Sequence, residues 1–179
     1  MTNSEKLQKL NELLEEQAVY QRSIGKLYFD MECCAPKDGL EQAGVDMAIL
    51  GKQLYKLQHA PEYETLVCEL YRDRDQLEMI DHKLVERLYE AYCKVKNFTP
   101  EFAYNMDVAA NKAYSHWLTA KQTDDFSAFR DSFAALIDFT RKAIDLREEK
   151  KETYYDTCLD DYEKGGSIAQ LDGFFGALR

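Results

Sequence analysis

The chain has 179 residues, 45% of them hydrophobic, enough to bury a substantial core. Lys+Arg of 23 against Asp+Glu of 33 leaves a net charge of −10, which argues against nucleic acid and anionic membrane surfaces as partners. Only three prolines and eight glycines interrupt it, so the composition favours an all-α antiparallel bundle of about six to seven helices over a sheet protein. Residues 1–179 read as one helical domain.

Thr2 and Glu5 stand at capping-box spacing, and behind them Leu7, Leu10, Leu14, Ile24, Tyr28 and Met31 follow a three-and-four spacing interrupted by Gln17 and Gln21. One long helix to about Asp30 is expected. The opening has no apolar leader and no run reaches membrane-spanning length, which makes a cytoplasmic location the expectation. Pro36 breaks the pattern, and Asp38 with Glu41 forms a second capping-box pair ahead of Leu40, Ala43, Met47, Leu50, Leu54 and Leu57.

Pro61 suits the first turn of a third helix to about Arg72, and a fourth, either separate or continuous with it, carries Leu77, Ile80, Leu84, Leu88, Tyr92 and Val95 as its buried stripe. Thr99-Pro100 stops that helix and starts another through Phe102, Met106, Ala109, Ala113, Trp117 and Ala120, whose small residues predict a close helical neighbour. Asp124 and Asp125 are expected to cap a sixth helix running to about Lys151, with Phe126, Phe129, Phe133, Leu136, Ile137 and Ile144 inward. Residues 154–167 concentrate tyrosines and carboxylates before Gly165 and Gly166 and read as a structured junction. Ser167 and Gln170 then open a last helix bearing Phe174, Phe175 and Leu178.

Chemistry is scarce. His59, His82 and His116 have no His-Glu-x-x-His or Glu-x-x-His spacing, so neither a catalytic nor a metal-ligating residue is assigned. Cys33, Cys34, Cys68, Cys93 and Cys158 lack a Cys-x-x-Cys pattern and read as reduced thiols. Asp124-Asp125 reads as a cap and Asp160-Asp161 as part of a solvated turn rather than a cation site. Tyr154, Tyr155 and Tyr162 suit either a peptide groove or simple packing with the hydroxyl outward.

The segment Tyr155-Asp156-Thr157-Cys158-Leu159-Asp160-Asp161-Tyr162-Glu163-Lys164-Gly165 resembles the Tyr-Asp-x-Leu-Leu-Asp-x-Tyr-Glu-Pro-Gly segment of the carboxypeptidase Taq family, with Cys158 and Lys164 as departures. Residues 28–39, with Asp30 and Pro36, are similar to that family's Trp-Asp-x-x-Thr-x-Met-Pro-x-Gly-Gly block, Phe29 standing for the tryptophan. Trp117-x-x-Ala120-Lys121 and Asp125-Phe126-x-x-Phe129 resemble two further blocks, in the same order.

The resemblance implies the amino-terminal helical region of a longer zinc, or other divalent-metal, metallocarboxypeptidase that removes single residues from peptide C-termini. The family's His-Glu-x-x-His helix lies beyond this region, so the chain is expected to hold no cofactor and to be inert alone. Its partners would be the remainder of the parent peptidase and a peptide substrate. Asp30, Pro36, Tyr155, Asp156, Asp160, Tyr162 and Glu163 become candidates for the substrate groove or a domain junction. Phe174, Phe175 and Leu178 become a candidate docking face for the missing part. The alternatives are a free-standing helical interaction module, including a homodimer, and the equivalent region of a related oligoendopeptidase.

Overall fold

The computed structural model describes residues 1–178, without the side chains of Lys37, Leu40 and Glu41. Among the described residues there are eight α-helices and no strand. They are α1 (Asn3–Cys33), α2 (Leu40–Gln58), α3 (Pro61–Arg72), α4 (Met79–Val95), α5 (Pro100–Thr123), α6 (Ser127–Asp145), α7 (Tyr154–Tyr162) and α8 (Ile168–Ala177). The all-helical expectation holds, and the additional helix is α7. The chain divides into two compact units, Met1–Glu90 and Ala91–Arg179.

In the first unit, α1 begins with the expected capping box. Thr2 Oγ1 accepts from the Glu5 N–H at 3.3 Å, while Glu5 accepts from the Thr2 N–H at 2.7 Å. These bonds hold the Glu5 carboxyl below its ordinary value. The helix packs along α2 and α3. Its inward row is Leu7, Leu10, Leu14 and Gln17, so the glutamine that interrupts the apolar pattern is itself buried, with Nε2 lacking an acceptor. The pairing of Asp38 with Glu41 falls partly outside the described residues. A 3₁₀ turn at Lys37–Gly39 leads into α2, whose cap position is Gly39.

The core of this unit is Leu10, Val67, Leu70 and Val85, flanked by Leu7, Leu14, Tyr63, Leu77 and Leu88. Two aromatic rings, Tyr71 and Tyr89, stack with centroids 3.7 Å apart, and the Arg74 guanidinium lies 4.3 Å from the Tyr71 centroid. Lys6 pairs with Glu69 at 2.8 Å, joining α1 to α3. Helices α3 and α4 are not continuous: a 3₁₀ turn at Arg74–Gln76 and an extended Leu77 (ψ 155°) separate them. The expected stripe of α4 holds at Leu84, Leu88 and Tyr92, all half-buried, and fails at its two ends. Val85 is fully buried, whereas Ile80, expected in the buried stripe, is 77% exposed in the first turn. Val95 is also partly exposed.

In the second unit Thr99 caps α5 through the Phe102 N–H at 3.1 Å, with Pro100 in the first turn as expected. Helices α5 and α6 form a hairpin. Its seam joins Phe102, Met106, Ala109, Ala113 and His116 to Phe129, Ser132, Leu136, Phe139 and Ala143, residues three and four apart on each helix. Across it the Phe102 and Phe139 rings lie 5.9 Å apart, and His116 Nδ1 pairs with Ser132 Oγ at 2.5 Å. Ala113 is 1% exposed, the close approach that the small residues predicted. Phe126, Phe133 and Ile137, expected inward, fall on the neighbouring row and are exposed.

Asp124 and Asp125 divide their role. Asp124 ends α5 in the left-handed region (φ 53°), and Asp125 accepts from the Ser127 N–H and hydroxyl, both at 2.9 Å, which depresses its pKa. Helix α6 ends at Asp145, short of the expected Lys151. Asn97 donates to the Leu146 carbonyl at 2.8 Å and Lys96 pairs with Glu148 at 2.7 Å, and these bonds hold the chain in a non-helical course after Asp145.

Removing the Leu70 side chain opens a cavity where nothing can collapse cheaply, so Leu70→Ala should cost about 2–5 kcal/mol. Ile80→Ala should stay within about 0.5 kcal/mol, as expected for an exposed side chain. Urea titrations followed by circular dichroism check both; equal costs would show that the break before α4 is misplaced.

Candidate functional site

The acidic, tyrosine-rich stretch folds as α7 rather than as a solvated turn. Thr153 caps it: its Oγ1 accepts from the Asp156 N–H at 2.9 Å and donates to Asp156 Oδ2 at 2.7 Å. This Thr-x-x-Asp spacing was legible in the sequence and places the helix start. One turn on, Thr157 is 4% exposed; its hydroxyl donates to the Thr153 carbonyl at 2.9 Å and accepts from the Lys151 N–H at 3.0 Å.

Each α7 aspartate then ties down a different piece of chain. Asp156 Oδ1 accepts from the Ile168 N–H at 2.7 Å, fixing the first turn of α8. Asp160 Oδ1 accepts from the Gly165 N–H at 2.8 Å and pairs with Lys151 at 3.2 Å. Asp161 takes both terminal nitrogens of Arg147 at 2.9 and 2.8 Å and Lys94 at 2.7 Å, so α7 is anchored to α4's last turn and to the strap after α6. Gly165 supplies the positive φ of 88° that the turn needs. A Cβ on Gly166 would meet the Glu163 carbonyl at 2.9 Å, so glycine is required there as well.

The electrostatics follow from these bonds. The Ile168 N–H, then the Thr153 hydroxyl, hold the Asp156 carboxyl below the ordinary range, and the Gly165 N–H does the same for Asp160. Burial pushes Asp161 upward, but Arg147 and Lys94 outweigh it and the net shift is down. Tyr154 moves the other way: its hydroxyl donates to the Asp145 carboxylate at 3.0 Å, and losing that proton beside a negative charge is disfavoured. Behind these groups a cleft of about 380 Å³ is lined by Ile144, Asp145, Lys150, Lys151, Thr153, Tyr154 and Thr157.

Among the sequence-predicted residues, Asp156 and Asp160 are therefore committed to holding the chain together. Tyr155, Tyr162 and Glu163 are exposed on the same helix and its end, Tyr162 almost fully at 94%. Phe174, Phe175 and Leu178 are exposed on α8 and just past it. Asp30 and Pro36, both exposed, belong to the first unit. Thr153, Thr157, Arg147 and Lys94 are the contributors that the sequence reading passed over.

No three His, Cys, Asp or Glu side chains among the described residues are placed to hold a metal ion. Two histidine Nδ1 atoms are engaged with backbone carbonyls, His59 with Tyr55 at 2.9 Å and His82 with Arg74 at 3.1 Å, and His116 faces Ser132. Each of these rings leaves Nε2 open, and what a catalytic zinc would lack among the described residues is a set of three converging donors.

The site is thus an all-helical junction tied by carboxylates, with no three-donor metal cluster among the described residues. A solved structure of metallocarboxypeptidase 1 from Trypanosoma cruzi superimposes with a TM-score of 0.83 at 23% identity, covering 98% of this chain and 35% of that one. Residues 9–179 match the model of the carboxypeptidase Taq (M32) metallopeptidases, and the chain belongs to that family. Carboxypeptidase 1 of Bacillus subtilis is 28% identical over 169 residues, which is 94% of this chain and 33% of the relative. Thermostable carboxypeptidase 1 of Pyrococcus furiosus is 28% identical over 152 residues, 85% and 30% respectively. The chain thus spans about a third of the length of the curated relatives it matches.

Because the lowered carboxylates stabilise the folded state above the unfolded aspartate value of about 3.9, their contribution is complete at neutral pH and is lost as pH falls through their lowered folded values. Thermal melts should be flat from neutral pH to about pH 5 and fall below about pH 4. Asp156→Asn with Asp160→Asn should lower the neutral-pH melt and flatten that acid limb; an unchanged limb would remove these groups as its cause. Thr153→Ala should cost about 1 kcal/mol by loss of the cap.

Proposed function

We propose that residues 1–179 are a single helical domain, the amino-terminal scaffold of a metallocarboxypeptidase that releases C-terminal residues from peptides, and that this domain forms one wall of the substrate cleft. The observation that carries this is the family match along 9–179 combined with coverage of only a third of each curated relative. The family is one of metallopeptidases, and zinc is the metal we assign to the parent; its ligands are expected outside this chain. Exposed Tyr155, Tyr162 and Glu163 suit a groove wall, where tyrosine hydroxyls and a carboxylate meet a peptide backbone. Phe174, Phe175 and Leu178 suit contact with the remainder of the parent. Five free thiols accord with a cytoplasmic setting, and no described helix is long and apolar enough to cross a membrane.

A second reading, a free-standing interaction module, draws on the same exposed residues of α8. The family match favours a carboxypeptidase over the oligoendopeptidase alternative.

The purified 179-residue chain, supplied with zinc or cobalt, should release no C-terminal amino acid from a peptide and should retain less than one zinc per chain in elemental analysis. Turnover with tightly held metal would overturn the scaffold role. Sequencing downstream of codon 179 should reveal a His-Glu-x-x-His helix in frame; a stop codon there would favour the module.

A further inference from the structure

The α5–α6 hairpin carries apolar residues on one side that its own unit leaves open. Rotated one row from the seam on α6 lie Phe126, Phe133, Ile137 and Ile144, spaced seven, four and seven apart and so in one line along the helix. Ile144 is 2% exposed; it lines the cleft with Tyr154 and Thr157, where α7 packs on α6. The other three lie outside that cover, although the Phe126 and Phe133 rings rest beside Phe129 at 6.2 and 5.3 Å: Phe126 is 57% exposed, Phe133 44% and Ile137 37%. On α5 the corresponding row holds Trp117, 39% exposed and stacked at 5.9 Å on Tyr114. In an antiparallel hairpin the rows displaced in the same rotational sense from the two seams come out on the same side. The two rows therefore border one shallow groove, closed at one end by α7 and open along the rest.

A line of apolar side chains at helical spacing beside an exposed tryptophan is a surface that a third helix packs against. These residues carry core-like patterning in the sequence and are left at the surface, so the mismatch marks a missing neighbour rather than a solvated face. A second copy of the chain would bring a net −10 against another −10. The solved relative instead contains nearly twice as much further chain around this same fold. We infer that the groove bordered by Trp117, Phe126, Phe133 and Ile137 receives an apolar-faced helix from the part of the peptidase fold outside the matched region, extending the row that α7 begins at Ile144. This rests on the proposed scaffold role and assigns it an intramolecular docking surface on α5–α6, distinct from the end of α8.

The test compares the 179-residue chain with a full-length chimera in which residues 9–179 replace the matching third of the Bacillus subtilis carboxypeptidase 1. Phe133→Glu and Ile137→Glu should lower the melting temperature of the chimera by roughly 5 °C or more beyond whatever they cost the short chain. Tyr104→Glu, exposed on the opposite side of α5, should be neutral in both. An active chimera in which all three substitutions are neutral overturns the groove while leaving the scaffold role intact. A chimera that neither folds nor cleaves peptides overturns the scaffold role and the groove together. Destabilisation of the short chain as large as that of the chimera, or concentration-dependent dimers of it abolished by Phe133→Glu, would overturn the proposal by showing that the groove is already occupied, by its own unit or by a second copy.

Discussion

The second unit depends on three carboxylates of one nine-residue helix. A helix as short as α7 has little stability of its own, because nucleation consumes most of what its few internal hydrogen bonds return. It holds its place because Asp156 binds the start of α8, Asp160 closes the turn at Gly165, and Asp161 is clamped by Arg147 and Lys94. Side chains that look like chemistry in the sequence are here the means by which a strap, a helix and a turn are fixed relative to one another. Ionised acceptors suit this purpose, since bonds to a charged oxygen are stronger than neutral ones and draw in backbone N–H groups at helix starts.

That arrangement changes how the acidic, tyrosine-bearing run from Tyr155 to Gly165 is understood. Asp156 and Asp160 take backbone N–H groups and Asp161 takes Arg147 and Lys94, while Tyr155, Tyr162 and Glu163 are exposed. The run divides by helical phase into residues that shape the junction and residues free to meet something else. The first unit is organised differently, around the apolar contacts of Leu10, Val67, Leu70 and Val85 with a tyrosine stack beside them.

Helix ends were the most legible features. Thr2, Pro61, Thr99 and Ser167 each start a helix where local chemistry places it, because a cap or a fixed proline φ acts over three residues and needs no distant partner. Inward rows were less legible. Ile80 misleads because it sits in the first turn of α4, ahead of the stretch that packs on the core, and Phe126, Phe133 and Ile137 mislead because they pattern as core one row away from the seam. The end of α6 depended on Asn97 and Lys96, about fifty residues away in sequence, which no local pattern reports.

What the amino-acid sequence determined by itself is the helical class, most of the boundaries and the absence of paired imidazole and carboxylate donors at ligand spacing. Those follow from short-range rules of spacing, capping and residue inventory. Only the tertiary structure decided that the acidic run is a helix, that its aspartates are spent on backbone and on Arg147, Lys94 and Lys151, and which apolar rows stay open. A carboxylate's role is set by the donors that reach it in space, and those donors come from segments that the local sequence does not contain.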